Sequence, residues 1–224
     1  GNRRWTPGTP AAPGGHNRPM PFIAPQLRLV LFDFDGVLAR YSRRTRLLQL
    51  AAALDRRYAE VEAALYGSGL ETRYDGGQVD TAGYLAELGA RLSGTVEPAA
   101  WIAARRAATN VEPPALALLQ AVSQRTDVAV LTNNGALMEG IVGELLAPAV
   151  PGLHGRILCS GTLGTRKPDP AVYRLALERL GADASRTLFI DDLFVNVRGA
   201  RRAGLHADTA HDGRSLARLL RRYR

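Results

Sequence analysis

Four short apolar runs, each stopping abruptly at polar residues, constrain this chain more than any other feature. Leu27-Arg-Leu-Val-Leu-Phe-Asp33 runs into Phe-Asp-Gly36, and Asp127-Val-Ala-Val-Leu-Thr132 runs into Asn-Asn-Gly135. Arg156-Ile-Leu-Cys-Ser160 leads into Gly-Thr162, and Thr187-Leu-Phe-Ile-Asp191 meets a second acid, Asp192. Runs this short, rich in strand formers and bounded by turn residues, read as buried strands. Helical patterning separates each run from the next. Such alternation predicts a parallel sheet covered on both faces, a Rossmann-like doubly wound α/β core.

The first two runs lie much further apart than the dozen or so residues a simple crossover requires. From Arg43 to Arg106 the sequence offers Leu/Ala-rich helical segments, Leu47 to Leu65 and Thr81 to Leu92, around a glycine-rich loop from Tyr66 to Gly77. The expected organisation is a small helical cap over 43–109, inserted into a catalytic core made of 26–42 and 110–224. Residues 1–25 are rich in Pro and Gly, without apolar periodicity, and are expected to be a disordered N-terminal extension. A tag, a stretch upstream of a start at Met20 and a transit peptide all stay open for residues 1–19. A secretory signal does not, because the segment has no continuous apolar h-region.

Composition narrows the function classes. No apolar stretch approaches the roughly 20 residues that cross a bilayer. Cys159 is the sole cysteine, which removes a disulfide framework or a cysteine zinc site and fits a reducing, cytoplasmic setting. The net charge of +8 is concentrated at the two ends, around Arg3, Arg4, Arg18 and Arg28 and again beyond Arg198, leaving the middle slightly acidic. No aromatic ladder accompanies those arginines, so neither a nucleic-acid partner nor a membrane is expected. Monomer and homodimer stay open.

Asp33 and Asp35 stand at the carboxyl end of the first run, the edge where open parallel sheets bind ligands. Two carboxylates there repel unless a cation or proton is shared, and an oxygen-loving divalent metal such as Mg²⁺ relieves that repulsion. Asp191 and Asp192 form a second acidic pair at the same expected edge. Asp192 is favoured as a direct metal ligand, while Asn196 is open between supporting the site and capping a helix. Lys167 is the only lysine among 29 basic residues. A compact ammonium kept where composition otherwise favours Arg suggests a point charge set between carboxylates and an anionic oxygen. In Lys167-Pro-Asp-Pro-Ala-Val-Tyr173, Asp169 as N-cap and Pro170 at the first helical position place Lys167 just ahead of a helix. Thr132 and Asn133 sit where a hydroxyl and following N–H groups can hold an anion. Arg73, Tyr74 and Tyr66 are candidates for substrate choice, with Arg73 open between an anionic substrate group and an ion pair with Glu71.

In this order, Phe32-Asp33-Phe-Asp35-Gly-Val37, Leu131-Thr132-Asn133, Arg166-Lys167-Pro-Asp-Pro170 and Phe189-Ile-Asp191-Asp192 followed by Asn196 resemble the motif set of haloacid dehalogenase-like hydrolases. The likeness covers about residues 28–209, and the stretch Ser68 to Gly77 is similar to the cap loop of the subfamily I phosphatases with a small helical cap. The resemblance implies a phosphatase acting on a small phosphorylated metabolite. Asp33 would be the nucleophile that forms an aspartyl phosphate, and Asp35 the acid and base. Thr132, Asn133, Lys167 and Arg73 would hold phosphate or substrate, and Mg²⁺ would lie among Asp33, Asp35, Asp192 and Asp191. A β-phosphoglucomutase-like phosphomutase and a non-catalytic regulatory protein on the same fold are the alternatives. The second acid separates the chain from true haloalkanoate dehalogenases, which lack it and need no metal.

Overall fold

The structure, a computed structural model, describes residues 26–223. The extension expected over 1–25 lies outside the described residues. Strand β1 (Leu29–Phe32) is buried along its whole length, as a central strand of a covered sheet must be. It pairs in parallel with β4 (Asp127–Thr132) on one side and β6 (Thr187–Asp191) on the other. β5 (Ile157–Cys159) and β7 (His206–Thr209) complete a five-stranded sheet in the order β5-β4-β1-β6-β7, every pair parallel. The register sets Phe32 beside both Val130 and Ile190, so Asp33, Thr132 and Asp191 come together at one edge.

Alternation along the strands sorts the core into two layers. Val30, Phe32, Val128, Val130 and Ile190 face α6 (Pro113–Ser123), α7 (Met138–Leu146) and α11 (Gly213–Arg222). Leu29, Leu31, Ala129, Leu131 and Phe189 face α8 (Ser160–Leu163), α9 (Pro170–Leu180) and α10 (Phe194–Arg202) on the other side. Helix α9 begins and ends where its sequence signals predict, with Asp169 accepting the Ala171 N–H and Gly181 closing it in the left-handed region. Among the described residues, no helix is long and apolar enough to cross a membrane.

Between β1 and β4 the chain leaves through β2 (Ala39–Tyr41) and returns through β3 (Thr109–Val111). The two are antiparallel, with Tyr41 opposite Thr109. The intervening helices are α1 (Arg43–Leu54), α2 (Tyr58–Glu62), α3 (Leu70–Asp75), α4 (Thr81–Arg91) and α5 (Pro98–Ala107). Leu47, Leu50, Leu65 and Leu88 are fully enclosed there with Trp101, each leucine contributing about 2 kcal/mol of burial.

Two local expectations are corrected. Leu47 to Leu65 is not one helical stretch, because Asp55 adopts φ 50° and turns the chain between α1 and α2. Nor is Tyr66 to Gly77 a loop: a π-helical turn (Ala63–Gly67) continues α2, and Gly69, at φ 73°, starts α3. The glycines punctuate helices here.

Helix α3 is set down on the core. The Tyr74 ring lies across Gly135 so closely that a Cβ at 135 would be 2.0 Å from it, and the Tyr74 hydroxyl accepts the Leu137 N–H at 3.0 Å. Ser160 Oγ donates to the Asp75 carbonyl, and Gly77 lies against the Gly161 carbonyl.

Candidate active site

Strand β1 delivers Asp33 to the sheet edge with 6% of its surface exposed. Oδ1 accepts the Phe34 N–H at 2.8 Å and lies 2.7 Å from Lys167 Nζ. Both contacts fall on the same oxygen, and Oδ2 takes none among the described residues. Lys167 Nζ also donates to Asp191 Oδ2 at 2.7 Å and to the Leu131 carbonyl at 3.2 Å. Its backbone is clamped to the end of β4 by Asn133, which donates to the Lys167 carbonyl and accepts the Lys167 N–H, each at 2.9 Å. The lone lysine is thus held at both ends. A residue just before a helix and a residue just after a strand locate each other through one amide side chain.

Asp191 is fully buried, and its oxygens are spoken for: Oδ1 accepts the Leu193 N–H at 2.8 Å and Asn196 Nδ2 at 2.9 Å, while Oδ2 takes Lys167. Asn196, open in the sequence between two roles, supports Asp191. Asp192 is half-buried and free of ion pairs among the described residues, and it approaches the turn after β1 so closely that a Cβ on Gly36 would meet its carboxylate at 2.5 Å. Gly36 has φ 98°, where only glycine is unstrained, so one residue makes the turn and leaves room for the acid. Asp33, Asp191 and Asp192 each offer an oxygen within 4.8 Å of the others. A set of hard carboxylate oxygens, one of them unpaired, fits a divalent cation such as Mg²⁺.

The electrostatics follow from the burial. Desolvation pushes the Asp33 carboxyl up to about 8, against the pull of Lys167 and reinforced by Asp191 and Asp35. Asp192 is raised by burial and then by Asp191. For Lys167 burial pulls downward, but Asp33 and Asp191 outweigh it and hold the ammonium above its ordinary value.

Asp35 stands beside this group in a different setting. Its Oδ2 accepts Arg105 Nη2 at 2.6 Å and Asn134 Nδ2 at 3.2 Å, while Oδ1 is buried without a partner among the described residues. The same Asn134 amide donates to Thr132 Oγ1 at 2.7 Å, which leaves the Thr132 hydroxyl hydrogen free to donate. Arg105 and Asn134 were not singled out in the sequence. Arg105 is one arginine among many on a helix, 70 positions from the acid it meets, and only the return of α5 to the sheet edge brings them together.

The candidates on the insertion are engaged elsewhere. Arg73 does not pair with Glu71: it binds both oxygens of Glu87 at 2.6 Å, because the turn of α3 that buries Glu71 and Tyr74 points Arg73 towards α4. Glu71 pairs with Arg46, and Tyr66 bonds Tyr41 at 3.0 Å and Arg46 at 3.2 Å. Asp33, Asp35, Thr132, Asn133, Lys167, Asp191 and Asp192 therefore gather at one edge, and Arg73 does not join them.

The family model of the haloacid dehalogenase-like hydrolases matches residues 27–204. The chain is 38% identical over 91 residues to Phosphatase MT3486 of Mycobacterium tuberculosis, covering 41% of this chain and 42% of that protein. It is 37% identical over 105 residues to the phosphoglycolate phosphatase of Rhodospirillum rubrum, covering 44% of this chain and 41% of that protein. The matched stretches thus span less than half the length of these curated relatives. Among solved structures, the HAD family enzyme bt-2542 of Bacteroides thetaiotaomicron, in complex with magnesium and inorganic phosphate, superimposes with a TM-score of 0.68 at 20% identity, over 82% of this chain and 93% of that one. At that identity the likeness is one of fold.

Proposed function

The chain belongs to the haloacid dehalogenase-like hydrolase family, and from that premise we propose that it is a Mg²⁺-dependent phosphatase that hydrolyses a small phosphomonoester through a phosphorylated Asp33. One observation carries the reading: Asp33 has one oxygen fixed by a buried lysine and a backbone N–H while the other is left free beside an unpaired acid. The phosphatase names of the two relatives, and the magnesium and phosphate bound by the structural neighbour, support the same chemistry.

In the first step Asp33 Oδ2 bonds to phosphorus as the bond to the leaving oxygen breaks, and Asp35 supplies that oxygen with a proton. In the second, a water loses its proton to Asp35 and its oxygen bonds to phosphorus as the bond from phosphorus to Asp33 Oδ2 breaks, releasing phosphate and restoring Asp33. The Thr132 hydroxyl and the Lys167 ammonium hold the phosphoryl oxygens, and Asn133 keeps Lys167 in place. Asp33, Asp192 and the backbone carbonyl of Asp35 would hold Mg²⁺, with Asp191 committed to Lys167. The ion, when bound, supplies positive charge against the carboxylates and the phosphoryl group. Arg73 has no part in this reading, since Glu87 holds it.

The test is phosphate release from a panel of phosphomonoesters, with and without Mg²⁺, by the native chain and by Asp33→Asn. Release that needs Mg²⁺ and falls by roughly 10⁴-fold or more in Asp33→Asn is expected. Folded native protein that releases phosphate from no ester would remove the phosphatase reading and favour a phosphomutase or a non-catalytic role.

A further inference from the structure

Arg105 touches the site, yet the mechanism above does not use it. It is 1% exposed and sits on α5, the last helix before the chain returns to the core through β3. Its guanidinium is gripped on three sides. Nη2 donates to Asp35 Oδ2 at 2.6 Å, Nη1 donates to Thr109 Oγ1 at 2.6 Å, and the group lies over the Tyr41 ring at 4.0 Å. Thr109 and Tyr41 face each other in the β2-β3 pair, and Thr109 is itself fixed by donating to the Arg105 carbonyl at 2.8 Å. The two strands through which the chain leaves and re-enters the core therefore hold one cation, and that cation holds Asp35. A lysine lacks the flat fork that such a site requires.

We propose that Arg105 is a positioning residue for proton transfer at Asp35, an inference that rests on the phosphatase reading. Arg105 and Asn134 occupy Oδ2, while Oδ1 is buried and takes no partner among the described residues, which leaves Oδ1 as the oxygen to carry the proton. A guanidinium neither gives nor takes a proton at working pH, so Arg105 is not itself the acid or the base and acts through the carboxyl group it holds. In the first step the proton leaves Oδ1 for the departing oxygen as its bond to phosphorus breaks. In the second the same Oδ1 takes the proton of the attacking water. Without Arg105 the carboxyl group turns about its broad terminal torsion, and neither oxygen stays aimed at the reacting atoms.

The two steps allow a test that a merely structural residue would not pass. An alkyl phosphate must have its leaving alkoxide protonated, whereas 4-nitrophenyl phosphate releases a stable phenolate unaided. With kcat/KM reporting the phosphorylating step, Arg105→Gln is expected to lower the alkyl value by roughly 100-fold and the aryl value far less. On the aryl ester the variant should also accumulate phosphorylated enzyme, because the second step still needs Asp35. In an Asp35→Asn background the same substitution should add nothing. Thr109→Val, which keeps the charge but frees one arm of the fork, should shift the alkyl-to-aryl ratio in the same direction by less, and it decides the matter if Arg105→Gln does not fold. Equal loss on both esters, or no loss, in variants that melt like the native chain overturns the assignment of Arg105 alone. No release from either ester by the native chain overturns the phosphatase reading and this inference with it.

Discussion

The chain buries charge in two places, and they are built to different ends. On the insertion, Arg46 and Glu71 pair out of contact with solvent, Tyr84 donates to Glu71 at 2.6 Å, and Trp101 donates to Tyr84 at 2.8 Å. Apart from Arg46 Nε, the polar atoms there answer one another. Burial pulls the Arg46 guanidinium down, but Glu71 outweighs it, and burial with Glu71 holds the Tyr84 phenol well above its usual range. Arg46 stays charged and Tyr84 stays neutral. At the sheet edge the account is left open: among the described residues Asp33 Oδ2 and Asp35 Oδ1 take no hydrogen bond and Asp192 makes no ion pair, and the Asp33 carboxyl is pushed to about 8. A closed network holds helices together, whereas an open one can exchange protons and bind ligands.

The contrast can be broken from the closed side first. Glu71→Gln leaves Arg46 buried without its counter-charge and should cost about 3 kcal/mol or more in urea unfolding, while the activity of the folded fraction stays near native. A fall in activity without a fall in stability would mean that the insertion's charges belong to the chemistry. On the open side, Mg²⁺ should raise the melting temperature, by an amount equivalent to about 2.7 kcal/mol at a hundredfold excess over Kd. Asp192→Asn should lose most of that shift in a calorimeter, with no assay of turnover needed. An undiminished shift would place the ion elsewhere.

The smallest effect sharpens the boundary between the two regions. Asp75, at the end of α3, has its carboxyl pushed up to about 8, first by burial and then by Glu71, against Arg46, Arg166 and the Gly135 N–H. Between its ordinary value of 3.8 and about 8 the folded chain keeps a proton that the unfolded chain has lost, so this group makes stability fall as pH rises through that window. Asp75→Asn should therefore melt above the native chain near pH 8, with the difference closing towards pH 4. A pH-independent difference would mean that Asp75 is ionised throughout.

How much of this was legible depends on how far each signal reaches. Asp33, Thr132 and Asp191 end apolar runs, and Lys167 precedes a helix marked by Asp169 and Pro170, so local patterning suffices to set them at one edge. β7 escaped notice because His-Ala-Asp-Thr has no apolar run and becomes a strand by pairing with β6. Tyr66 to Gly77 misled in the other direction. Glycine content suggests a loop, yet these glycines sit at helix ends or, like Gly77, where backbones nearly touch. Arg105, Asn134 and the Arg73-Glu87 pair depend on how α5 and α3 return to their neighbours, which no short window of sequence encodes.

The Tyr41-Thr109 pairing has a consequence for how such a chain tolerates change in length. Because β2 and β3 meet side by side, the sheet experiences everything between them as one closed loop. Each doubling of such a loop adds only about 0.6 kcal/mol of closure entropy. Residues can therefore be gained or lost among α1 to α5 with little strain transmitted to the strands that carry Asp33 and Asp191, provided that the contacts of Arg105 and Tyr74 are kept.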